Sequence, residues 1–262
     1  MTKELNCQTV FKKLSSEGAA FMTRPMPFLR SFIIEGNIGA GKSTFMRLVQ
    51  DRLPVQIVFE PVDQWQRVAA GENLLDRFYQ DTQRWAYTFQ SYAFITRVIQ
   101  QQKKALETPH AVQLLERSVY SDRYCFAKNC FEMGTMSGLE WSLYQEWFDW
   151  LIENYVQKPA GFIYLRTSPE KSYERLKKRA RSEEKVVPLD YLQLLHGKHE
   201  QWLVNKQGLS HSLEDVPVLV IEADKEFENY PAQMEEYLAQ IADFMNVSHP
   251  VKPSSVAACV SI

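Results

Sequence analysis

The chain has 262 residues, 45% hydrophobic and 24% charged, with a net charge of −2 and a pI of about 6.2. That balance provides no basic field for nucleic acid, and no apolar run approaches the ~18 residues that a membrane span requires. Cys7, Cys125, Cys130 and Cys259 form no CxxC pair, which argues against a zinc site or disulfide framework and for reduced thiols.

Residues 1–29 mix Lys3, Lys12, Lys13 and Arg24 with Glu4 and Glu17 and lack the apolar core of a secretory signal. A flexible tail and a cytoplasmic protein are expected, with a mitochondrial transit segment as the alternative. Residues 247–262 are expected to form a second flexible tail. Between the tails, 30–246 reads as one domain without internal repeats.

Short apolar runs at 32–35, 55–59, 111–115, 162–165 and 216–221 have the character of strands buried on both faces. Helical stretches at 42–53, 82–108, 119–131, 138–155, 169–180, 188–206 and 230–245 alternate with them. The alternation predicts an α/β fold, a parallel sheet covered by helices. On the long helix at 82–108, Gln90 and Arg97 lie two turns apart and share a face. That face is either solvated or part of a pocket.

The first strand runs into Gly36-Asn37-Ile38-Gly39-Ala40-Gly41-Lys42-Ser43, followed by Thr44, a complete G-x-x-x-x-G-K-[ST] phosphate loop. Backbone N–H groups and the helix N-terminus suit phosphate oxygens, Lys42 reaches the outer phosphates, and Ser43 offers an oxygen to Mg²⁺. A switch GTPase also needs DxxG and NKxD, and neither occurs. The third strand ends in Glu116-Arg117-Ser118, placing a carboxylate for hydrated Mg²⁺ beside an arginine for phosphoryl charge. The second ends at Glu60, which faces the ligand crevice and suits a proton acceptor for an attacking hydroxyl. In 174–184, ERLKKRARSEE, Arg175, Arg179 and Arg181 fit a mobile arginine-rich lid over the transferring group.

Taken together, GNIGAGKST, EPVDQW, RWAYTFQSYA, ERSVYSDRY and RARSEE resemble the deoxynucleoside kinases, the family that includes deoxycytidine, deoxyguanosine and mitochondrial thymidine kinases. The match runs from about residue 30 to 245. The resemblance implies a P-loop kinase fold with a five-stranded parallel sheet, usually a homodimer through a helix bundle. It implies transfer of the γ-phosphate of ATP or another nucleoside triphosphate to a deoxynucleoside 5′-hydroxyl in nucleotide salvage. On it, Glu60 is the base, and Arg117 holds Glu60 and the developing charge. The three lid arginines meet the donor phosphates, and Lys225, Glu226 and Phe227 border the donor's base. Tyr79 and Glu184 hold the sugar 3′-hydroxyl, Gln90 reads the base edge, and Phe126 stacks on the base. Val62, Trp65, Leu75 and Phe89 shape the pocket.

The family's base preference is carried by Ala93, Arg97 and Asp122. Thymidine-preferring members lack this Arg and Asp. Asp122 accepts only, which suits an exocyclic amino group and repels the O4 of thymine. Deoxycytidine and purine deoxynucleosides are therefore expected over thymidine. Two other readings are a nucleoside monophosphate kinase and a catalytically silent kinase-like subunit. The first needs a cationic clamp where Glu60 stands, and the second should have eroded Lys42, Glu60 or the lid arginines.

Overall fold

The computed structural model describes residues 29–107, 110–228 and 230–247. The two predicted tails lie outside the described residues, apart from positions 29 and 247. Five strands form one all-parallel sheet: β1 (Arg30–Glu35), β2 (Gln56–Val58), β3 (Val112–Glu116), β4 (Gly161–Arg166) and β5 (Val218–Glu222), in the order β2-β3-β1-β4-β5. Successive side chains point to opposite faces, so the sheet feeds two cores. Ile33, Val58, Leu115, Phe162 and Tyr164 pack into one, while Phe32, Ile34, Leu114, Ile163 and Leu165 pack into the other. Every strand predicted from the sequence is present, with boundaries shifted by at most two residues.

The phosphate loop opens α1 (Lys42–Gln50), which with α9 (Pro231–Met245) covers the second face. The first face carries α2 (Val62–Gln66), α3 (Leu74–Gln80), α4 (Thr82–Glu107), α5, α6 (Gly138–Tyr155), α7 (Pro169–Arg179) and α8 (Leu189–His199). Helix α5 is continuous through Val119–Ser121, Asp122–Ala127 and Lys128–Glu132, and its middle stretch is wound as a π-helix. Likewise α8 runs on as a π-helical segment, Glu200–Val204. The predicted helix over 188–206 therefore changes its winding partway. The short helices α2 and α3 were not expected from the sequence, because neither is long enough to show a helical repeat.

Parallel strands place their C-terminal ends on one edge, where β1, β2 and β3 deliver Gly36, Glu60 and Glu116. Two glycines allow the loop to pass close under α7 and the Phe227 ring. Gly39 has φ +80°, and a Cβ there would lie 2.2 Å from the Ser172 carbonyl oxygen. Gly41 has φ +90°, and its Cβ would meet the Phe227 ring at 3.1 Å. Gly39→Ala is expected to destabilise the fold by roughly 1–3 kcal/mol through overpacking alone, with left-handed backbone strain added. Thermal unfolding would report it as a lower Tm, and an unchanged Tm would show that α7 yields to the side chain.

Candidate active site

A cleft of about 970 Å³ opens along the C-terminal edge of the sheet. It collects every site residue expected from the sequence except Lys225 and three residues of the phosphate loop, Gly36, Asn37 and Ala40. Those three turn their polar groups into the loop's own framework. Lys42 Nζ donates to the carbonyls of Gly36 (3.0 Å) and Asn37 (2.7 Å). The Asn37 amide donates to the Leu192 carbonyl at 2.8 Å, and its Oδ1 accepts from the Ile38 N–H. The Ala40 carbonyl accepts from Arg175 at 3.3 Å. Burial, and then Arg117, push the Lys42 ammonium down to about 7. Phosphate oxygens would restore its charge.

Glu60 is the junction of the site. Its Oε1 accepts from Arg97 Nη2 and from Arg117 Nη1 at 3.2 Å. Burial opposes charge on Glu60, but Arg97, Arg117 and Lys42 outweigh it and hold the carboxyl well below the usual range. Arg97 also donates Nε to Asp122 Oδ2 at 2.8 Å and Nη1 to the Glu116 carbonyl at 3.3 Å. Arg117 adopts φ 59°, a left-handed backbone uncommon for a side chain of its size. That turn sends its guanidinium back to the Gly36 carbonyl at 3.3 Å and over the Phe126 ring at 4.7 Å. Gln90 and Arg97 are thus buried on the pocket face of α4, not solvated.

Beside the loop, Ser43 Oγ donates to Glu116 Oε1 at 2.6 Å, and the Glu60 N–H approaches Glu116 Oε2 at 3.5 Å. A hydroxyl and one carboxylate are a small oxygen set, which fits Mg²⁺, an ion that retains most of its water. Among the described residues there is no cluster of three or more His, Cys, Asp or Glu able to hold a metal.

The far end of the cleft is aromatic. Phe89 stacks on Phe78 at 4.6 Å and meets Trp65 edge-on at 5.5 Å. Trp65 is fixed by its Nε1 donating to Thr96 Oγ1 at 2.9 Å. Val62, Leu75, Ala93, Phe126 and Asp122 complete this end. Burial pushes Asp122 up to about 6 despite its pairing with Arg97, so it is mostly ionised at neutral pH. The Tyr79 phenol is raised by burial and by Glu184 and remains a hydrogen-bond donor.

The lid begins on α7. Arg179 and Arg181 both pair with buried Glu184, the latter at 2.9 Å. Arg175 donates to the carbonyls of Ala40, Ala223, Asp224 and Lys225, strapping α7 to the phosphate loop and to the segment that carries Glu226 and Phe227.

Two buried carboxylates were not expected from the sequence. One is Glu183, in the turn Ser182–Val186. The other is Glu35, which is fully buried, accepts from Ser118 Oγ at 2.6 Å, and leaves Oε2 without a partner. Its signal was an acid inside an apolar strand run, directly before the glycine loop.

The deoxynucleoside kinase family model matches residues 32–246. Curated relatives include deoxycytidine kinase 2 of Gallus gallus, 41% identical over 83% of this chain and 91% of that protein. Another is the mitochondrial deoxyguanosine kinase of Xenopus laevis, 39% identical over 81% and 88%. A third is the mitochondrial thymidine kinase 2 of Homo sapiens, 38% identical over 82% and 79%.

Burial lifts Glu35 from the usual 4.5 to about 7, against the Ser118 hydrogen bond and the Arg117 charge. The folded chain therefore keeps a proton that the unfolded chain loses, and stability falls as pH rises from about 4.5 to 7, by up to about 3 kcal/mol. Glu35→Gln retains an acceptor for Ser118 and cannot ionise. The variant's melting temperature, relative to the wild type, should be higher at about pH 8 than at about pH 5. An equal difference at both pH values would show that Glu35 does not titrate in this window.

Proposed function

The chain belongs to the deoxynucleoside kinase family, and from that premise we propose that it phosphorylates the 5′-hydroxyl of deoxycytidine and purine deoxynucleosides in preference to thymidine. The donor is the γ-phosphate of ATP or another nucleoside triphosphate. The observation carrying this reading is Arg97, which joins the proposed base, Glu60, to the acceptor-only Asp122 at the aromatic end of the cleft.

The donor lies on Gly36–Lys42, with Thr44 at the start of α1 and Glu226 and Phe227 beside its base. Ser43 and Glu116 would hold Mg²⁺, which would supply charge neutralisation to the donor's phosphates. Arg179 and Arg181 fork the transferring oxygens, and Arg175 braces the lid against the loop. Both guanidinium contacts on Glu60 fall on Oε1, leaving Oε2 for the acceptor hydroxyl. Glu60 accepts that hydrogen bond and the proton, and Arg117 follows the charge to the phosphoryl group. Tyr79 and Glu184 grip the sugar 3′-hydroxyl, Gln90 reads the base edge, and Phe126 stacks on the base.

A monophosphate kinase would need cations where the acceptor's phosphate lies. Here the place of attack holds a carboxylate, which favours a neutral hydroxyl. The retained Lys42, Glu60 and lid arginines favour turnover over a silent subunit. A cytoplasmic location is part of the proposal, with the mitochondrion as the alternative suggested by relatives named for it. No helix among the described residues is long and apolar enough to cross a membrane.

We also propose a homodimer. Leu139, Leu143, Trp147 and Trp150 form an exposed stripe on α6, and Ile95 and Ile99 are exposed on α4, which packs beside it. Such a contiguous apolar face marks an association surface.

Phosphorylation of the four deoxynucleosides and of deoxycytidine monophosphate, each with ATP and UTP, tests the reaction. Deoxycytidine or a purine deoxynucleoside should lead, the monophosphate should be inert, and Glu60→Gln, which loses both the base and the firm hold of the two arginines on it, should lose at least about 10²-fold in kcat. The double variant Arg97→Met, Asp122→Ala should gain thymidine activity. Thymidine turnover equal to the others in the wild type would overturn the preference, and near-normal Glu60→Gln turnover would remove the base. Sedimentation should show a dimer that Trp147→Glu with Ile99→Glu converts to monomer; a dimer persisting in that variant would place the interface elsewhere.

A further inference from the structure

Glu183 is 5% exposed, yet it lies outside the cleft that its neighbours Arg181 and Glu184 border. Its Oε1 accepts from Gln66 Nε2 at 2.7 Å and Asn73 Nδ2 at 2.8 Å, and Oε2 accepts from Ser182 Oγ at 2.9 Å. All three partners are neutral. Burial opposes the charge on Glu183, but the bonds from Asn73, its own backbone N–H, Ser182 and Gln66 outweigh it and hold the carboxyl down to about 2. An ionised acceptor with three donors forms a firm tie, because hydrogen bonds to a charged group are roughly twice as strong as neutral ones.

The positions of the donors give this tie its meaning. Gln66 is the last residue of α2, which carries Val62 and Trp65 into the acceptor end of the cleft. Asn73 caps α3, its Oδ1 accepting from the Asp76 N–H at 2.9 Å, and α3 carries Leu75 and Tyr79. On the other side of the tie, Glu184 is the next residue and anchors Arg179 and Arg181. One buried carboxylate therefore fastens the donor lid to both short helices of the acceptor wall. Movement of the wall on a bound nucleoside has a direct route to the lid, and closure of the lid has the same route back.

We infer that Glu183 is a positioning residue that couples the lid to the acceptor wall, so that filling one half of the cleft tightens binding in the other. The inference rests on the two-substrate kinase reading above. Coupling of this kind is reciprocal and typically amounts to 5–150-fold in affinity.

Deoxycytidine binding to the full chain, followed by tryptophan fluorescence, is measured with and without saturating β,γ-imido ATP and Mg²⁺. The wild type should bind deoxycytidine about 5-fold or more tightly when the analogue is present. Glu183→Gln can still face its amide oxygen to Gln66 and Asn73 and donate its NH2 to Ser182 Oγ, but it loses the charge that makes the tie firm. Its coupling ratio should fall to within about 2-fold of unity, while each ligand alone binds within about 3-fold of wild type. Gln66→Leu removes one donor and leaves Glu183 in place; it should lower the ratio to an intermediate value and keeps the test open if Glu183→Gln fails to fold. Full coupling in the variants, even with a lowered melting temperature, overturns the inference and makes Glu183 a structural brace. A wild type that binds both ligands without coupling overturns it as well. A wild type that binds neither ligand overturns the kinase reading and the inference with it.

Discussion

The site is organised around one buried carboxylate shared between two guanidinium groups. Glu60 comes from the end of β2, Arg97 from α4 and Arg117 from the end of β3, and Arg97 extends the network to Asp122 on α5. Two acids balance two bases, so the cluster can be buried without a net charge. Breaking such a cluster by removing one partner typically costs about 3–5 kcal/mol, because an uncompensated charge stays behind. Positions 60, 97, 117 and 122 therefore act as a unit. If positions 97 and 122 meet the nucleobase as proposed, a side chain chosen to suit it also sets the electrostatics of Glu60, the carboxylate proposed for the hydroxyl.

That constraint explains the unusual backbone nearby. Arg117 leaves β3 through a left-handed turn, and from there it reaches Glu60 and the Gly36 carbonyl. Ser118 then caps α5 with its hydroxyl oxygen while donating to Glu35. The π-helical winding of 122–127 follows immediately and sets the directions of Asp122 and Phe126. Strain at a single strand end thus places a charge holder, a helix cap and two pocket residues. Backbone held in sparsely populated conformations tends to concentrate where the surroundings over-determine it, as they do here.

Much of this was legible in the sequence for reasons that can be named. The strands are apolar because both faces are covered, and the phosphate loop is contiguous, so neither needs tertiary information. The resemblance brought Glu60, Gln90, Arg97, Asp122 and the lid into one site, and the cleft gathers them. Helices α2 and α3 escaped notice because five and seven residues complete at most two turns. The π-helical turn leaves no mark in hydrophobic spacing. Arg97 bonding to Glu60, 37 positions away, depends on how α4 lies against β2, which no local pattern encodes. Glu183 looked like part of a charged run, and only its neutral partners 110 and 117 positions away distinguish it.

The same electrostatics limit what Glu60 can contribute. A carboxylate held well below the usual range by two guanidinium groups is a weak base. General base catalysis contributes about 10²–10⁴-fold, or roughly 3–5 kcal/mol, when the pKa is matched to the task. Alignment of two bound reactants can supply about 7–11 kcal/mol. In a loose phosphoryl-transfer transition state the hydroxyl proton departs late, so a weak base costs little. The balance favours a site that acts chiefly by holding a hydroxyl in line with a phosphorus. That demand makes rigidity at Glu60 worth more than basicity, and the arginine pair that lowers its basicity is also what fixes its position.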